Sequence, residues 1–431
     1  MHARIALVAG ALLGTAASIA WSQPTYRIID LGEVTPEFGI VDATFASDAG
    51  PIGGIGFEPV EGKPVGLLWS DEGASVERPM LLRAGDNASE VQFVGNDGKL
   101  LGSSMEITFE QIGSITLIII DAVAVEWDDE GEPSPIADRL SSPPAFDLTS
   151  AIARNATGRI VGHGEQENMT GGRDPKGWLL DVDGALVDLG DLERPWAITE
   201  RGLVAGFRTS LQDRARAWRD GVVINLHDHP SITGVTSRAW DANAAGDIVG
   251  EAQFDISQPE YATMWRADGG GYEPIHLLEP LGFGRPQGNA RSINDRGEIV
   301  GWYADLDTPP FDGIRAFCMP GGPGGPFFEL NDLVPEAAAQ GWGLLQRADH
   351  VNERGWIVGT GVRFGVLGNA FLLIPECPAD VDRDGELTLF DFLEFGNLFD
   401  AGSVAADFDF DGRLTLFDFL AFGNAFDAGC D

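Results

Sequence analysis

Basic residues are scarce in this chain: 28 Lys and Arg stand against 67 Asp and Glu, a net charge of −39. That balance excludes a phosphate-backbone partner, which needs a basic footprint, and docking on anionic lipid. Three catalytic signatures are missing as well: no nucleophile elbow, no H-E-x-x-H and no phosphate loop occurs. Cysteine is reduced to three residues. Cys377 and Cys430 bracket the end of the chain closely and are expected to pair, with Cys318 left as a buried thiol. Beyond the N-terminus the one strongly apolar run is Ile115 to Val125, too short to span a bilayer and interrupted by Asp121. It reads as buried strand.

What is present begins with a leader. MHARIALVAGALLGTAASIAWSQ has Arg4, an apolar run from Ile5 to Ile19, then small residues at Ser18 and Ala20. Residues 1–22 read as a secretory signal peptide cut after Ala20 or Ser22, which predicts a secreted protein with no membrane span after cleavage. The whole chain is 44% hydrophobic, which supports a sizeable core, and its 57 Gly point to many turns.

Those turns have a rhythm. The kernel is Gly, any residue, an aliphatic, any residue, Gly. It recurs at 50–54, 98–102, 158–162, 202–206, 246–250, 297–301 and 355–359, at spacings of 48, 60, 44, 44, 51 and 58 residues. Asn three residues before the first Gly (Asn243, Asn294, Asn352) marks a tight turn that needs positive φ at the Gly. The closing Gly allows close backbone approach. A second apolar strand follows each kernel, with Trp69, Trp127, Trp178, Trp218 and Trp265 on it as blade core, and several units end on a D-L-G step. Repeats of this length built from short strands match β-propeller blades. The last unit lacks its D-L-G strand, and YRIIDLG at 26–32 supplies one at the other end of the chain. The expectation for residues 23–376 is a mostly β, seven-bladed propeller closed by its N-terminal strand.

INDRGEIVG, RAFCM and NAFLL, followed by DLG, resemble the HAF-type extracellular repeat family over about 350 residues. The His of that family's His-Ala-Phe step is replaced here by Arg315 and Asn369. The resemblance implies a secreted repeat protein and carries no chemistry.

The end of the chain says one thing twice. Aligning 379–402 with 406–429 gives 19 identities in 24 positions. Asp380, Asp382 and Asp384 fall at loop positions 1, 3 and 5, Gly385 at 6, Glu386 at 7 through its carbonyl, Thr388 at 9 and Asp391 at 12. The second loop repeats the pattern with Asp407, Asp409, Asp411, Gly412, Arg413 (carbonyl), Thr415 and Asp418. Alternate residues of an extended loop point inward, so this spacing gathers hard oxygen donors around a hard cation. Two Ca²⁺ ions are expected. Cys377-Pro378-Ala379 leaves no room for a helix before the first loop, and 402–406 leaves none before the second. A doubled loop-then-helix with Asp at position 12 resembles a dockerin domain, assigned to residues 377–431, and its Gly429-Cys430 resembles a variant class ending in Gly-Cys. That resemblance implies a calcium-dependent docking module for a cohesin-like partner. Positions 10 and 11, where such a partner is read, are Leu389-Phe390 and Leu416-Phe417, apolar rather than polar. An envelope protein, or the propeller itself, is therefore also a docking partner to consider. Ten Phe in 377–431 exceed what so small a domain buries, which predicts an exposed apolar patch.

Catalytic signals in the propeller are weak. His227-Asp228-His229 reads as a polar turn, and His163 with Glu165 as a solvated loop. Trp302 and Tyr303 are the sequence's candidates for stacking on a sugar, with His163 and Glu165 as further ligand-binding candidates. The leading reading is a binding or structural propeller, secreted or at the cell surface and positioned by its tail, with the ligand left open and polysaccharide one candidate. The alternative is an extracellular polysaccharide hydrolase or lyase on the same scaffold, and a third reading is an envelope structural protein.

Overall fold

The computed structural model describes residues 24–112, 115–210, 212–269, 271–278, 286–305, 313–377, 379–382, 387–408 and 413–429. The leader lies outside these residues. So do Asp384, Glu386, Asp409, Asp411 and Cys430.

The chain forms a seven-bladed β-propeller. Seven four-stranded antiparallel sheets cover residues 40–77, 88–135, 147–188, 194–225, 237–276, 286–329 and 342–375, the last sheet taking its fourth strand from Tyr26–Asp30. That strand pairs antiparallel with the last strand of the blade, from Tyr26 opposite Pro375 to Asp30 opposite Phe371. The first strand of each blade is innermost: Ile40–Ala46, Ala88–Val94, Asp147–Arg154, Arg194–Ile198, Ser237–Ala242, Pro286–Ile293 and Trp342–Val351. Each approaches the first strand of both neighbours, and the sequence of contacts returns from the seventh to the first. The kernels of the two least regular repeats, GPIGG and GKLLG, sit in blades one and two like the others.

Hydrophobic alternation explains the cores. Each kernel's aliphatic faces the third strand of its own blade or the next sheet, as Ile52, Ile160, Ile248 and Ile357 do in fully buried positions. Trp69, Trp127, Trp178 and Trp265 are buried between blades, and Trp69 Nε1 donates to the Leu31 carbonyl at 3.1 Å. The Leu of each D-L-G-like step (Leu31, Leu189, Leu226, Leu277, Leu330) is buried as well. Cys318 lies inside blade six among these apolar residues.

One expectation is corrected. The run Ile115–Val125 is strand, but Leu117, Ile118, Ile119 and Ile120 are exposed. Its two 13-residue strands, Leu100–Ile112 and Ile115–Trp127, outrun the innermost strand of their blade, whose pairing ends at Ala88 opposite Met105. Past that point Asn87 still bonds Ile107 and Arg83 meets Asp121, but among the described residues no further strand pairs with the hairpin to cover Leu117 to Ile120.

The tail carries the two α-helices among the described residues, α1 (Leu389–Ala401) and α2 (Leu416–Ala428). Thr388 and Thr415 are their N-caps, and Asp391 and Asp418 close the capping boxes. Gly402, at φ 73°, ends α1 in the left-handed region. The equivalent rings Phe395 and Phe422 stack face to face at 4.3 Å and 2°, as a twofold relation between the copies requires.

Candidate functional site

Two places concentrate chemistry: the mouth of the channel and the doubled tail above it. The mouth is built from the turns joining the first and second strands. In all seven, the kernel's first Gly donates its N–H to the residue three before it (Ser47, Gly95, Asn155, Thr199, Asn243, Asn294, Asn352) at 2.9–3.2 Å. These glycines have φ between 71° and 113°, a region L-residues rarely adopt.

The turns clasp one another around the ring. Nδ2 of Asn155, Asn243, Asn294 and Asn352 donates to the carbonyls of Thr199, Asn294, Asn352 and Ser47 at 3.1, 3.4, 3.1 and 3.0 Å. The following residue's N–H donates to an acid on the next turn: Ala156 to Glu200, Ala244 to Asp295, Asp295 to Glu353 and Glu353 to Asp48, at 2.8, 2.6, 2.9 and 2.8 Å. Blade one continues the chain through Ser47 and Asp48 to Asn96 at 2.9 and 3.1 Å. Burial at this rim disfavours the charge of two of the acids, Glu353 and Asp48. Burial and the nearby Asp295 push Glu353 up to about 8, and burial raises Asp48.

Just below the turns, every innermost strand carries a β-bulge. At this level the pairing register skips seven residues, Thr44, Gln92, Ile152, Trp196, Trp240, Arg291 and Asp349, and further along two of the strands it also skips Thr149, Gly343 and Gln346. All seven line one chamber of about 1440 Å³ on the channel axis. A bulge kinks its strand and re-aims a side chain. The kernel's closing Gly is its counterpart. A Cβ at Gly54, Gly102, Gly162, Gly206, Gly250, Gly301 or Gly359 would lie 1.8–2.2 Å from a carbonyl oxygen of the bulged strand.

The tail roofs this chamber. Val381, Asp382, Glu394, Leu398 and the C-terminal end of α1 line it together with the turns. Arg354 of the seventh turn meets Asp407 at 3.5 Å, with side chains 8% and 6% exposed. Within the tail, ligand oxygens of Asp380, Asp382 and Asp391 lie within 4.8 Å of one another. Asp391, fully buried, accepts the N–H groups of Val381 and Thr388 at 2.8 and 2.7 Å. Asp418 accepts those of Phe408 and Thr415 at 2.9 and 2.6 Å. Three carboxylates converging in one tight loop suit a hard cation, because all their donors are anionic oxygen. Thr388 and Thr415 use their hydroxyls to cap the helices, accepting from Phe390 and Phe417 at 3.1 Å. Arg413 is exposed. Cys377 is disulfide-bonded.

The other sequence candidates lie apart from the chamber. Trp302 and Tyr303 sit in the strand Ile299–Asp305 rather than in a loop, and Tyr303 is buried with its hydroxyl donated to Glu329. His163 is held by Arg194 at 2.6 Å, and burial followed by that guanidinium lowers it to about 3. Glu165 pairs with exposed Arg173 at 3.4 Å. His227 meets Ser237 at 2.8 Å and His229 meets Ser231 at 2.8 Å, so the two imidazoles serve different neighbours.

The bulge residues escaped the sequence reading, although a signal for them exists. Each stands six positions before the first Gly of its kernel.

No family model matches the chain, and no curated protein matches it. Solved structures share its architecture at low identity. The β-propeller domain of the Trilobed protease from Pyrococcus furiosus is 12% identical over 67% of this chain and 81% of that one, with a TM-score of 0.39. YCF48 bound to D1 peptide is 12% identical over 84% of this chain and 99% of that one, with a TM-score of 0.41. Acylaminoacyl peptidase in complex with a chloromethyl ketone is 11% identical over 79% of this chain and 52% of that one, at 0.43. These likenesses concern the fold alone.

Proposed function

We propose that the chain is a secreted or cell-surface binding propeller of HAF-like repeats, positioned by a calcium-dependent, dockerin-like tail. The strand Tyr26–Asp30 closes the ring, and two Ca²⁺ ions order the tail loops. Asp380, Asp382, Asp384 and Asp391 would hold one ion. Asp407, Asp409, Asp411 and Asp418 would hold the other, and each ion would neutralise carboxylates that otherwise repel. The cation's chemistry here is structural.

The observation that carries docking is a matched apolar pair. Leu389 and Phe390 are 71% and 65% exposed, and their equivalents Leu416 and Phe417 are 72% and 66% exposed. The tail packs on its own propeller through loop residues and the C-terminal end of α1, so these two faces stay available to a cohesin-like or envelope partner. The test immobilises the full chain, passes secreted and envelope fractions over it, and compares calcium with chelator. Retention that needs calcium and is lost in L389S/F390S/L416S/F417S supports docking. Retention unaffected by either change refutes it.

The enzymatic alternative has one observation in its favour, the acids of the chamber. Glu353 and Asp48, however, accept N–H groups of neighbouring turns and so hold blades together. Assay of E353Q and D48N on soluble polysaccharides separates the readings, since a hydrolase would lose turnover that a binding protein never had.

A further inference from the structure

The seven bulge residues share one backbone position and differ in chemistry. In ring order they read Thr44, Gln92, Ile152, Trp196, Trp240, Arg291 and Asp349. A residue needed only to build a blade would be similar in every repeat, as the buried Leu and Ile positions are. Here the scaffold is repeated and the side chain is not, which is the mark of a surface fitted to something in the channel.

We infer that this ring is the propeller's ligand site and that its ligand is a neutral saccharide. This rests on the binding-propeller reading above but not on the tail's docking. The ring is ordered by chemistry. Ile152, Trp196 and Trp240 form one contiguous apolar arc, Arg291 and Asp349 a charged one, and Thr44 and Gln92 a polar one. Trp196 meets Trp240 edge-on at 5.1 Å, and the Arg291 guanidinium lies 4.3 Å from the Trp240 ring. Several polar atoms of the ring are buried without a hydrogen-bond partner: Nε1 of both tryptophans and Asp349 Oδ2. Asp349, buried, uses its other oxygen on Arg347 at 2.8 Å. Unpaired buried polar atoms are costly, and donors and acceptors set beside aromatic rings match the hydroxyls and the apolar face of a sugar.

Charge selects the class. Arg291 and Asp349 cancel within the ring, so the ring itself calls for no net charge. The rest of the chamber lining holds more acids than bases, with Asp97, Glu200, Asp295 and Glu394 against Arg154 and Arg296, which disfavours a uronate. A metal ion is disfavoured because Asp349 lies against two guanidinium groups, Arg347 at 2.8 Å and Arg291 at 3.5 Å. A chamber of about 1440 Å³ has room for several linked sugar rings.

The test is calorimetric titration of the full chain, with calcium present. The probes are cellohexaose and N-acetylated chitohexaose as neutral ligands, oligogalacturonate as an anionic probe and spermine as a cationic one. The expected result is binding of a neutral hexasaccharide, weakened at least tenfold in W196A and in D349N. W196A should keep the wild-type melting transition; D349N, which leaves Arg291 and Arg347 without their carboxylate, is titrated below its own lowered transition, and W240F should bind with intermediate affinity. Absence of binding by either neutral probe, binding of spermine or oligogalacturonate in their place, or binding indifferent to W196A and D349N would overturn the assignment. Calcium-dependent partner retention, measured on the same variants, should be unchanged. Its loss in wild-type protein would count against the tail reading and leave this one standing.

Discussion

Arg354 Nη2 and Asp407 Oδ2 lie 3.5 Å apart in a contact almost closed to water, joining the seventh blade's turn to the start of the second tail loop. Removing the guanidinium leaves a buried carboxylate beside Asp48 and Asp418, which also act on Arg354 electrostatically. In R354Q, proteolysis near residue 377 should quicken roughly tenfold, about 1.4 kcal/mol of lost docking. An unchanged cleavage rate would mean that the ion pair contributes nothing to holding the tail.

The two glycines of one kernel should fail differently. A Cβ at Gly301 would stand 2.0 Å from the Asn289 carbonyl, so G301A must move the bulged strand. At Gly297 nothing lies within 4 Å, but φ is 82°. Urea titration should show a loss of about 1 kcal/mol for G297A, the cost of left-handed backbone, and more than about 2 kcal/mol for G301A. Equal losses would refute the bulge explanation of the motif.

Stability should peak near pH 6.5. Burial lowers His163 and His350 to about 3, and His227 and His276 to about 4. The unfolded chain therefore binds more protons at these groups, and stability rises with pH up to the ordinary histidine value. Glu353 has the opposite sign. Raised to about 8, it contributes stability below its ordinary value that is lost as pH climbs through 8. Thermal melts from pH 4 to 9 should show both limbs; because the Glu353 contribution declines from about 4.5 through 8, E353Q should flatten the alkaline limb and steepen the acid one above pH 4.5.

Chelation should loosen the tail and spare the blades. With EDTA, protease cleavage is expected within 377–431 while the propeller's melting transition stays within about 2 °C. D391N, which alters a buried carboxylate holding two loop N–H groups, should mimic chelation even with calcium present. Identical melts and cleavage with and without calcium would remove the metal from the account.

Starting the chain at residue 32 removes the strand that pairs with Val366–Pro375. It also removes buried Tyr26, Ile28 and Leu31. Fully burying one such side chain stabilises by about 1.5–3 kcal/mol, so a sharp loss of the main transition is expected. A truncated chain that melts like the full one would refute closure by this strand.

Local chemistry was legible in the sequence wherever a residue's role depends on its near neighbours. The kernel glycines announce seven turns because positive φ and close carbonyl approach exclude a side chain whatever surrounds them. Thr388 with Asp391, and Thr415 with Asp418, announce helix starts because a capping box closes within four residues. Trp69, Trp127, Trp178 and Trp265 were readable as core from their strand positions. Leu117 to Ile120 were not readable as exposed, because apolar strands look alike until a neighbour is present or missing.

The channel ring and the roofed mouth were decided by tertiary structure. Ser47 receives the Asn352 amide across 305 positions of sequence, and Arg354 of the seventh blade reaches Asp407 of the tail. Such contacts exist only once seven blades close into a circle. The bulge then turns Trp196, Trp240, Arg291 and Asp349 toward the axis, whereas simple alternation would assign them to a blade face. The sequence by itself determined how often the motif repeats and where each turn must bend. Which side chains face one another across the channel was left to the closed ring, because facing is a property of the circle and not of any one repeat.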